Sequence, residues 1–184
     1  MVSYHKPVIA VVGSSAPSPL TRQLAFEVGR EAVRAGFSIV SGGLGGIMEA
    51  ASQGAQAAKD ELRRSGSDVD LPQVIAVLPV AEKQRATPFA DIVLPTGLGY
   101  ARNAVVVLAG DGVIALEGGS GTLSEIAYAW QFGKPVAALA PSGGWAARLA
   151  GTSLDGKRGD SVYRAESAAA AVEFIAGQLA GNKP

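Results

Sequence analysis

DGVIALEGGSGTLSEIAYAWQFGKPVAALAP, residues 111–141, contains two short apolar runs separated by a glycine-rich turn and a longer mixed segment. The runs DGVIALEGG and PVAALAP have the length and the aliphatic content of buried strands. The segment TLSEIAYAWQFG between them predicts a helix. A strand, a helix and a second strand in this order form the unit from which parallel sheets are built.

The same alternation extends to both sides of this stretch. Toward the N-terminus, PVIAVVGSS and FSIVSGG predict strands around the helix TRQLAFEVGREAVRAGF, with Thr21 as its candidate N-cap and Gly36 as its stop. The helix IMEAASQGAQAAK, the strands VIAVL and DIVLP, and the helix RNAVVVLAG follow. SVYRA predicts a last short strand and ESAAAAVEFIAGQLA a terminal helix. This order predicts an α/β protein, a three-layer doubly wound Rossmann-like fold with a mainly parallel sheet.

Two segments interrupt the alternation. KDELRRSGSDVDLP, residues 59–72, is charged and rich in turn formers, so we expect it to extend the preceding helix and then loop out at the surface. SGGWAARLAGTSLDGKRGD, residues 142–160, has scattered glycines around Trp145. That segment has two interpretations, the rim of a pocket or an interface, and the sequence leaves its role open.

Length and charge exclude several classes of protein. A chain of 184 residues fits one domain, residues 1–184. Lys and Arg number 16 and Asp and Glu number 16, so no basic surplus exists to bind a nucleic-acid backbone. No apolar stretch approaches the roughly 18 residues of a membrane span, and no secretory signal is evident. We therefore expect a cytoplasmic protein that binds neither nucleic acid nor membrane.

The residue types that usually hold metals are scarce. Because the chain has no Cys and a single His, His5, thiolate metal sites and a cysteine nucleophile are excluded, and so are triads that need a histidine within the fold. No protein-ligated metal is expected. Glycine, in contrast, is abundant at 24 residues, and it clusters at the predicted carboxyl ends of strands, where ligands bind in doubly wound sheets.

The clearest of these glycine clusters follows the strand that ends at Leu116. Consecutive glycines let several backbone N–H groups converge on one point, hydroxyls add donors, and the N-terminus of the next helix adds positive potential. The alternative is a tight turn that needs glycine for steric reasons alone. The phosphate-binding interpretation involves Gly118, Gly119, Ser120, Gly121 and Thr122.

Other turns are expected to reach the same groove. SGGLGGIMEAA, residues 41–51, repeats the construction after the second strand and contributes Gly42 and Gly43, whereas Ser14 belongs to a weaker version after the first strand. PTGLGYARN, residues 95–103, supplies Arg102 near a helix start, where a guanidinium can clamp a phosphate with two hydrogen bonds. The alternative is a solvent-exposed arginine at a helix start.

Glu125 also has two interpretations. It follows Thr122 by three residues, the spacing of a capping box, but it equally fits a carboxylate in the mouth of the groove. Two familiar signatures fail nearby. GLGYAR, residues 97–102, ends in Arg where a dinucleotide fingerprint needs Gly, so NAD binding is not predicted. GTSLDGKR, residues 151–158, has Arg in place of the hydroxyl residue of a phosphate loop.

Three motifs together resemble a known family. GGLGGIMEAASQGA, TGLGYARN and GGSGTLSE stand in the order found in the lonely-guy-like Rossmannoid superfamily, whose members have long been labelled lysine decarboxylases. The resemblance runs from about Val8 to Ala140 and is closest to the molybdenum cofactor carrier proteins. It implies a homo-oligomer, a dimer or tetramer, whose groove binds the phosphate of the pterin cofactor at the glycine-rich turn. Arg102 and Asn103 would orient that ligand, bordered by Ser14, Gly42 and Gly43.

The enzymatic branch of the superfamily is similar through GGSGTLSE. Its members are nucleoside 5′-monophosphate phosphoribohydrolases, which release a free base such as a cytokinin. By position the resemblance would make Arg102 and Glu125 the catalytic pair. Glu117 stands where that branch usually has Pro, and Asn103 where it has Lys. These departures favour a carrier of molybdenum cofactor; a phosphoribohydrolase and a nucleotide-sensing domain are the alternatives.

Overall fold

A computed structural model describes residues 6–66 and 72–181. The strands are Val8–Gly13 (β1), Ser38–Ser41 (β2), Val74–Leu78 (β3), Ile92–Pro95 (β4), Gly112–Leu116 (β5), Val136–Leu139 (β6) and Tyr163–Ala165 (β7). The helices are Pro19–Arg34 (α1), Ile47–Arg64 (α2), Arg102–Ala109 (α3), Ser120–Gln131 (α4), Gly144–Leu149 (α5) and Ala168–Gly181 (α6).

The seven strands form one sheet in the order β4-β3-β2-β1-β5-β6-β7, and every pairing in it is parallel. The chain runs outward from β1 to one edge, returns, and then runs from β5 to the other edge. This confirms the predicted doubly wound fold. Gly13 pairs with Leu116, so the turns that follow β1 and β5 lie side by side at the point where the winding reverses.

Alternating side chains of the strands pack into two separate cores. Ile9 and Val11 of β1 belong to the core beneath α1, α2 and α6, whereas Ala10 and Val12 belong to the core beneath α3 and α4. Because helices cover both faces, the central strands β1 and β5 are apolar runs without a polar side. This is the three-layer arrangement that the sequence predicts.

Helices α1 and α2 pack with almost no side chain between their backbones. A Cβ placed on Gly29 would lie 1.9 Å from the carbonyl oxygen of Ala51, and one on Gly54 would lie 1.9 Å from that of Phe26. Each helix therefore presents a glycine to the backbone of the other. This close approach fixes α2 against α1.

Two local predictions are wrong. The N-cap of α1 is Ser18, whose hydroxyl accepts from the Thr21 amide, and not Thr21 itself. Lys59, expected at the surface, is 2% exposed, and its Nζ lies 2.6 Å from Asp91 Oδ2. The helix does continue to Arg64 as expected. The tip of the expected loop, residues 67–71, and His5 lie outside the described residues.

Candidate functional site

The carboxyl ends of the central strands surround a cavity of about 480 Å³. The sequence singled out Ser14, Gly42, Arg102, Asn103, Gly119, Ser120, Gly121, Thr122 and Glu125, and all nine line it. Gly43 and Gly118 adjoin lining residues but do not line the cavity themselves. Gly43 instead packs against Ala76 and Leu78, and its carbonyl accepts a hydrogen bond from the Thr87 amide.

The turn after β5 places the start of α4 against this cavity. The backbone enters the left-handed region at Glu117, with φ of 50°, and at Gly118, with φ of 85°. A Cβ on Gly118 would lie 2.0 Å from Oγ1 of Thr122, so the turn has room only for glycine there. Gly119 then caps α4 without any side-chain hydrogen bond. The first amides of α4 are therefore available to an anion, at the positive end of the helix dipole.

A second segment holds this turn from behind. Ser142 Oγ accepts a hydrogen bond from the Glu117 amide at 2.7 Å. The Trp145 amide donates to the Gly118 carbonyl at 3.2 Å, and the Ala146 amide donates to the Glu117 carbonyl at 3.1 Å. Part of the segment 142–160, whose role the sequence left open, thus fixes the backbone of the glycine turn. The Glu117 amide is occupied by this contact and is not free for a ligand.

Arg102 and Glu125 form a buried ion pair in the wall of the cavity. Nη1 of Arg102 donates to Oε1 of Glu125 at 3.3 Å and to Oδ1 of Asn103 at 3.0 Å. The Arg102 and Glu125 side chains are 10% and 7% exposed. The guanidinium lies over Gly42, where a Cβ would be 2.2 Å from Nη2. Among the described residues, Nε of Arg102 is buried without a hydrogen-bond partner.

Burial dominates the electrostatics of this pair. Desolvation raises the pKa of Glu125 to about 7, although the positive charge of Arg102 and its hydrogen bond oppose the shift. Desolvation also lowers the pKa of Arg102 from its usual value, with Glu125 opposing. Glu125 can therefore take up or release a proton near neutrality while it faces a permanently charged guanidinium.

The capping-box interpretation of Glu125 does not hold. Gly119 is the N-cap of α4, and the partner of the Glu125 carboxylate is Arg102. The interpretation of Arg102 as a solvent-exposed residue does not hold either, because its side chain is buried and paired with Glu125. Asn103 completes the arrangement, because its Nδ2 donates to Ser124 Oγ at 3.1 Å and thereby joins α3 to α4.

Sequence reasoning missed the apolar side of the cavity. Leu44, Met48, Pro79 and Tyr100 line it in addition to the polar residues. Met48 and Tyr100 stand inside the quoted motifs, but an apolar residue beside a glycine turn has no local signature of ligand contact. The exposure of Tyr100, 91%, becomes visible only in the structure.

Across residues 6–66 and 72–181 there is no cluster of three or more His, Cys, Asp or Glu side chains arranged to hold a metal ion. The helices within these ranges include none that is both long and apolar enough to cross a membrane.

Known proteins resemble the chain along most of its length. A model of the LDcluster4 family, described as SLOG cluster4, matches residues 6–172. A protein of Archaeoglobus fulgidus, described only as uncharacterised, is 38% identical over 133 residues, 72% of this chain and 80% of that protein.

Two solved structures extend the comparison. The molybdenum cofactor binding protein of the phototrophic bacterium Rippkaea orientalis is 31% identical, with a TM-score of 0.79, over 96% of this chain and 99% of that one. The molybdenum cofactor carrier protein of Chlamydomonas reinhardtii is 28% identical, with a TM-score of 0.77, over the same shares of the two chains. These matches confirm the resemblance that the three motifs indicate.

Proposed function

The chain belongs to the SLOG cluster4 family, and on that premise we propose that it binds the molybdenum cofactor, a phosphorylated pterin, for storage or delivery. The observation that carries the proposal is the open cavity at the start of α4, where uncapped helix amides and a buried arginine face the same space. Both groups favour a phosphate. The two solved relatives that bind or carry this cofactor support the choice of ligand.

The residues present fit such a ligand. A cavity of about 480 Å³ lies within the range of small-molecule sites, roughly 300–1,000 Å³. The amides of Ser120 and Gly121 would hold the phosphate, and Arg102, which lines the same cavity, would add charge and direction. Molybdenum would arrive as cargo on the dithiolene of the pterin, so the protein needs no thiolate of its own, and the sequence contains no Cys.

Equilibrium binding tests the proposal directly. Purified protein is titrated with molybdenum cofactor and, separately, with AMP, under anaerobic conditions. We expect tighter binding of the cofactor, and an affinity reduced about tenfold or more in Arg102→Gln, because a charge-assisted hydrogen bond contributes about 1.5–3 kcal/mol. Ser153→Ala, at an exposed serine that does not line the cavity, serves as the control. No preference for the cofactor over AMP would remove the carrier assignment.

The Arg102–Glu125 pair supports a second candidate, a nucleoside 5′-monophosphate phosphoribohydrolase. In that reaction water replaces the base at the anomeric carbon, which gives free adenine and ribose 5-phosphate from AMP. The amides at the start of α4 would hold the 5′-phosphate, and the Glu125 carboxylate would stabilise the positive charge that develops on the ribose. The position of a buried carboxylate on the cavity wall is the observation that favours this candidate.

Chromatographic measurement of adenine released from AMP separates the two candidates. Turnover that disappears in Glu125→Ala would establish the hydrolase and the role of this residue. Turnover that survives the substitution would exclude Glu125 from the chemistry. AMP binding without any release would instead favour a nucleotide-sensing domain.

The homo-oligomer implied by the family stays a proposal as well. Leu108 and Phe132 are 55% and 41% exposed, and Ile92 and Leu94 on the edge strand β4 are 40% and 47% exposed. Ile92 and Leu94 lie two positions apart, on the same face of the edge strand, and contiguous exposed apolar surface is typical of subunit contacts. Sedimentation equilibrium should give a dimer or tetramer of the 18.6 kDa chain, and a monomer at micromolar concentration would reject it.

A further inference from the structure

The cavity has the helix amides at one end, the Arg102 guanidinium over Gly42 farther along, and apolar side chains beside and beyond it. The turns follow one another along the sheet edge in the strand order β3, β2, β1, β5. The uncapped amides belong to the β5 turn, whereas Leu44 follows β2 and Pro79 follows β3. Because neighbouring strands are about 4.8 Å apart, the three intervals from β5 to β3 span about 14 Å. A ligand with its phosphate at the β5 turn thus extends toward an apolar surface.

Tyr100 lies at the mouth of this cavity. It lines the cavity and is 91% exposed, the highest exposure among the large apolar and aromatic side chains of the described residues. It belongs to the short 3-10 turn Gly99–Ala101, directly before Arg102, the first residue of α3. Tyr100 therefore lies two positions before the arginine that is proposed to bind the phosphate.

The backbone around Tyr100 is tied to the sheet, although its side chain is not. The Gly99 amide donates to the Pro79 carbonyl at 2.9 Å. Thr96 Oγ1 donates to the Leu78 carbonyl at 2.6 Å and accepts the Leu98 amide at 3.2 Å. A rigid loop thus presents a solvated aromatic ring at the cavity mouth, which lowers the entropic cost of stacking against a second ring.

We propose that Tyr100 is a ligand-binding residue that stacks on the planar heterocycle of a bound phosphorylated ligand, while the start of α4 holds the phosphate. The inference rests on the proposed function and adds to it the residue that would hold the flat ring of the phosphorylated ligand. A ring recognised by stacking needs no matched hydrogen bonds, so this contact accepts a pterin or a purine alike. Selection between those two rings must come from other groups on the wall.

The experiment compares a ligand with a ring and one without. The ring-bearing ligand, which carries a flat heterocycle, is molybdenum cofactor or AMP, whichever binds the unmodified protein more tightly. The probe without a heterocycle is ribose 5-phosphate. Titration calorimetry is performed with Tyr100→Ala, Tyr100→Phe and the control Leu98→Ala. Leu98 is a suitable control because it is 51% exposed on the same loop but does not line the cavity.

Tyr100→Ala should lower the affinity for the ring-bearing ligand about tenfold or more, because stacking on an aromatic side chain acts only through the heterocycle. Its affinity for ribose 5-phosphate should not change. Tyr100→Phe and Leu98→Ala should bind like the unmodified protein. If Tyr100→Ala binds the ring-bearing ligand as tightly as the unmodified protein does, the stacking role is overturned. An equal loss of affinity for both ligands overturns it as well. If the unmodified protein binds none of the three compounds, the proposed function itself fails and the inference falls with it.

Discussion

Nη1 of Arg102 lies 3.3 Å from Oε1 of Glu125, and this pair joins the first turn of α3 to the second turn of α4 across the cavity wall. The two residues are 23 positions apart in the sequence. A ligand phosphate near Arg102 must compete with this carboxylate, which is itself close to titrating at neutral pH. Binding at this site and protonation of Glu125 are therefore coupled.

The stability of the folded protein should decrease as the pH rises through 7. Burial raises the pKa of Glu125 from 4.5 to about 7, so between these values the folded chain holds a proton that the unfolded chain has released. The stabilising contribution is complete below pH 4.5 and is lost as the pH passes 7, with an upper size of about 3 kcal/mol. Glu125→Gln removes this contribution, whereas the other titrating groups stay the same.

Urea denaturation of both proteins between pH 5 and 8.5 measures the effect. The free energy of unfolding of Glu125→Gln should increase relative to the unmodified protein as the pH rises. Parallel profiles over the whole range would show that Glu125 titrates as it does in the unfolded chain.

Gly42→Ala should weaken phosphate binding without disturbing the backbone. Gly42 has a negative φ, so alanine causes no conformational strain, but its Cβ would lie 2.2 Å from Nη2 of Arg102. The guanidinium has to move, and we expect the affinity for ribose 5-phosphate to fall about tenfold. Gly45→Ala is the matched control, because no atom of the described residues lies within 4 Å of its Cβ position. Similar losses in both variants would contradict the role given to Arg102.

Much of the fold could be predicted because most strands are short apolar runs and most connections have a glycine or a proline near their start. The exceptions have physical reasons. Ser18 and Thr21 are both good helix caps, and the decisive signal was Pro19 at the first helical position. Lys59 is paired in the structure with Asp91, 32 positions away, and no local pattern indicates a buried lysine.

Part of the candidate site could likewise be predicted from the sequence, and part could not. The turns could be located because parallel strands bring their carboxyl ends to one edge of the sheet. The partner of Glu125 could not be predicted. Its spacing to Thr122 fits a capping box, whereas its ion pair with Arg102 joins residues 23 positions apart and has no local signature. The contact between Glu117 and Ser142 spans 25 positions and involves two unremarkable residue types, so only the structure reveals it.

Ser142→Ala should loosen the turn that presents the anion site. The buried Ser142 hydroxyl donates to the Leu139 carbonyl at 2.6 Å and accepts the Glu117 amide at 2.7 Å. Loss of this hydroxyl should cost about 1–3 kcal/mol of folding free energy, because both backbone groups lose a partner. Amide hydrogen exchange at Glu117 should become faster. Ser153→Ala, at an exposed serine of the same segment, should change stability by less than about 0.5 kcal/mol. Unchanged exchange at Glu117 would argue against the contact.

A pair of identical substitutions in two helices should change stability in opposite directions. Gly54→Ala places a Cβ 1.9 Å from the Phe26 carbonyl oxygen, a backbone atom, so α1 and α2 must separate. Overpacking of this kind typically costs about 1–3 kcal/mol. Gly177→Ala in α6 meets no described atom within 4 Å and should stabilise the protein by about 0.5–1 kcal/mol through helix propensity. Urea denaturation gives both values, and a gain at Gly54 would mean that the two backbones are farther apart than the structure shows.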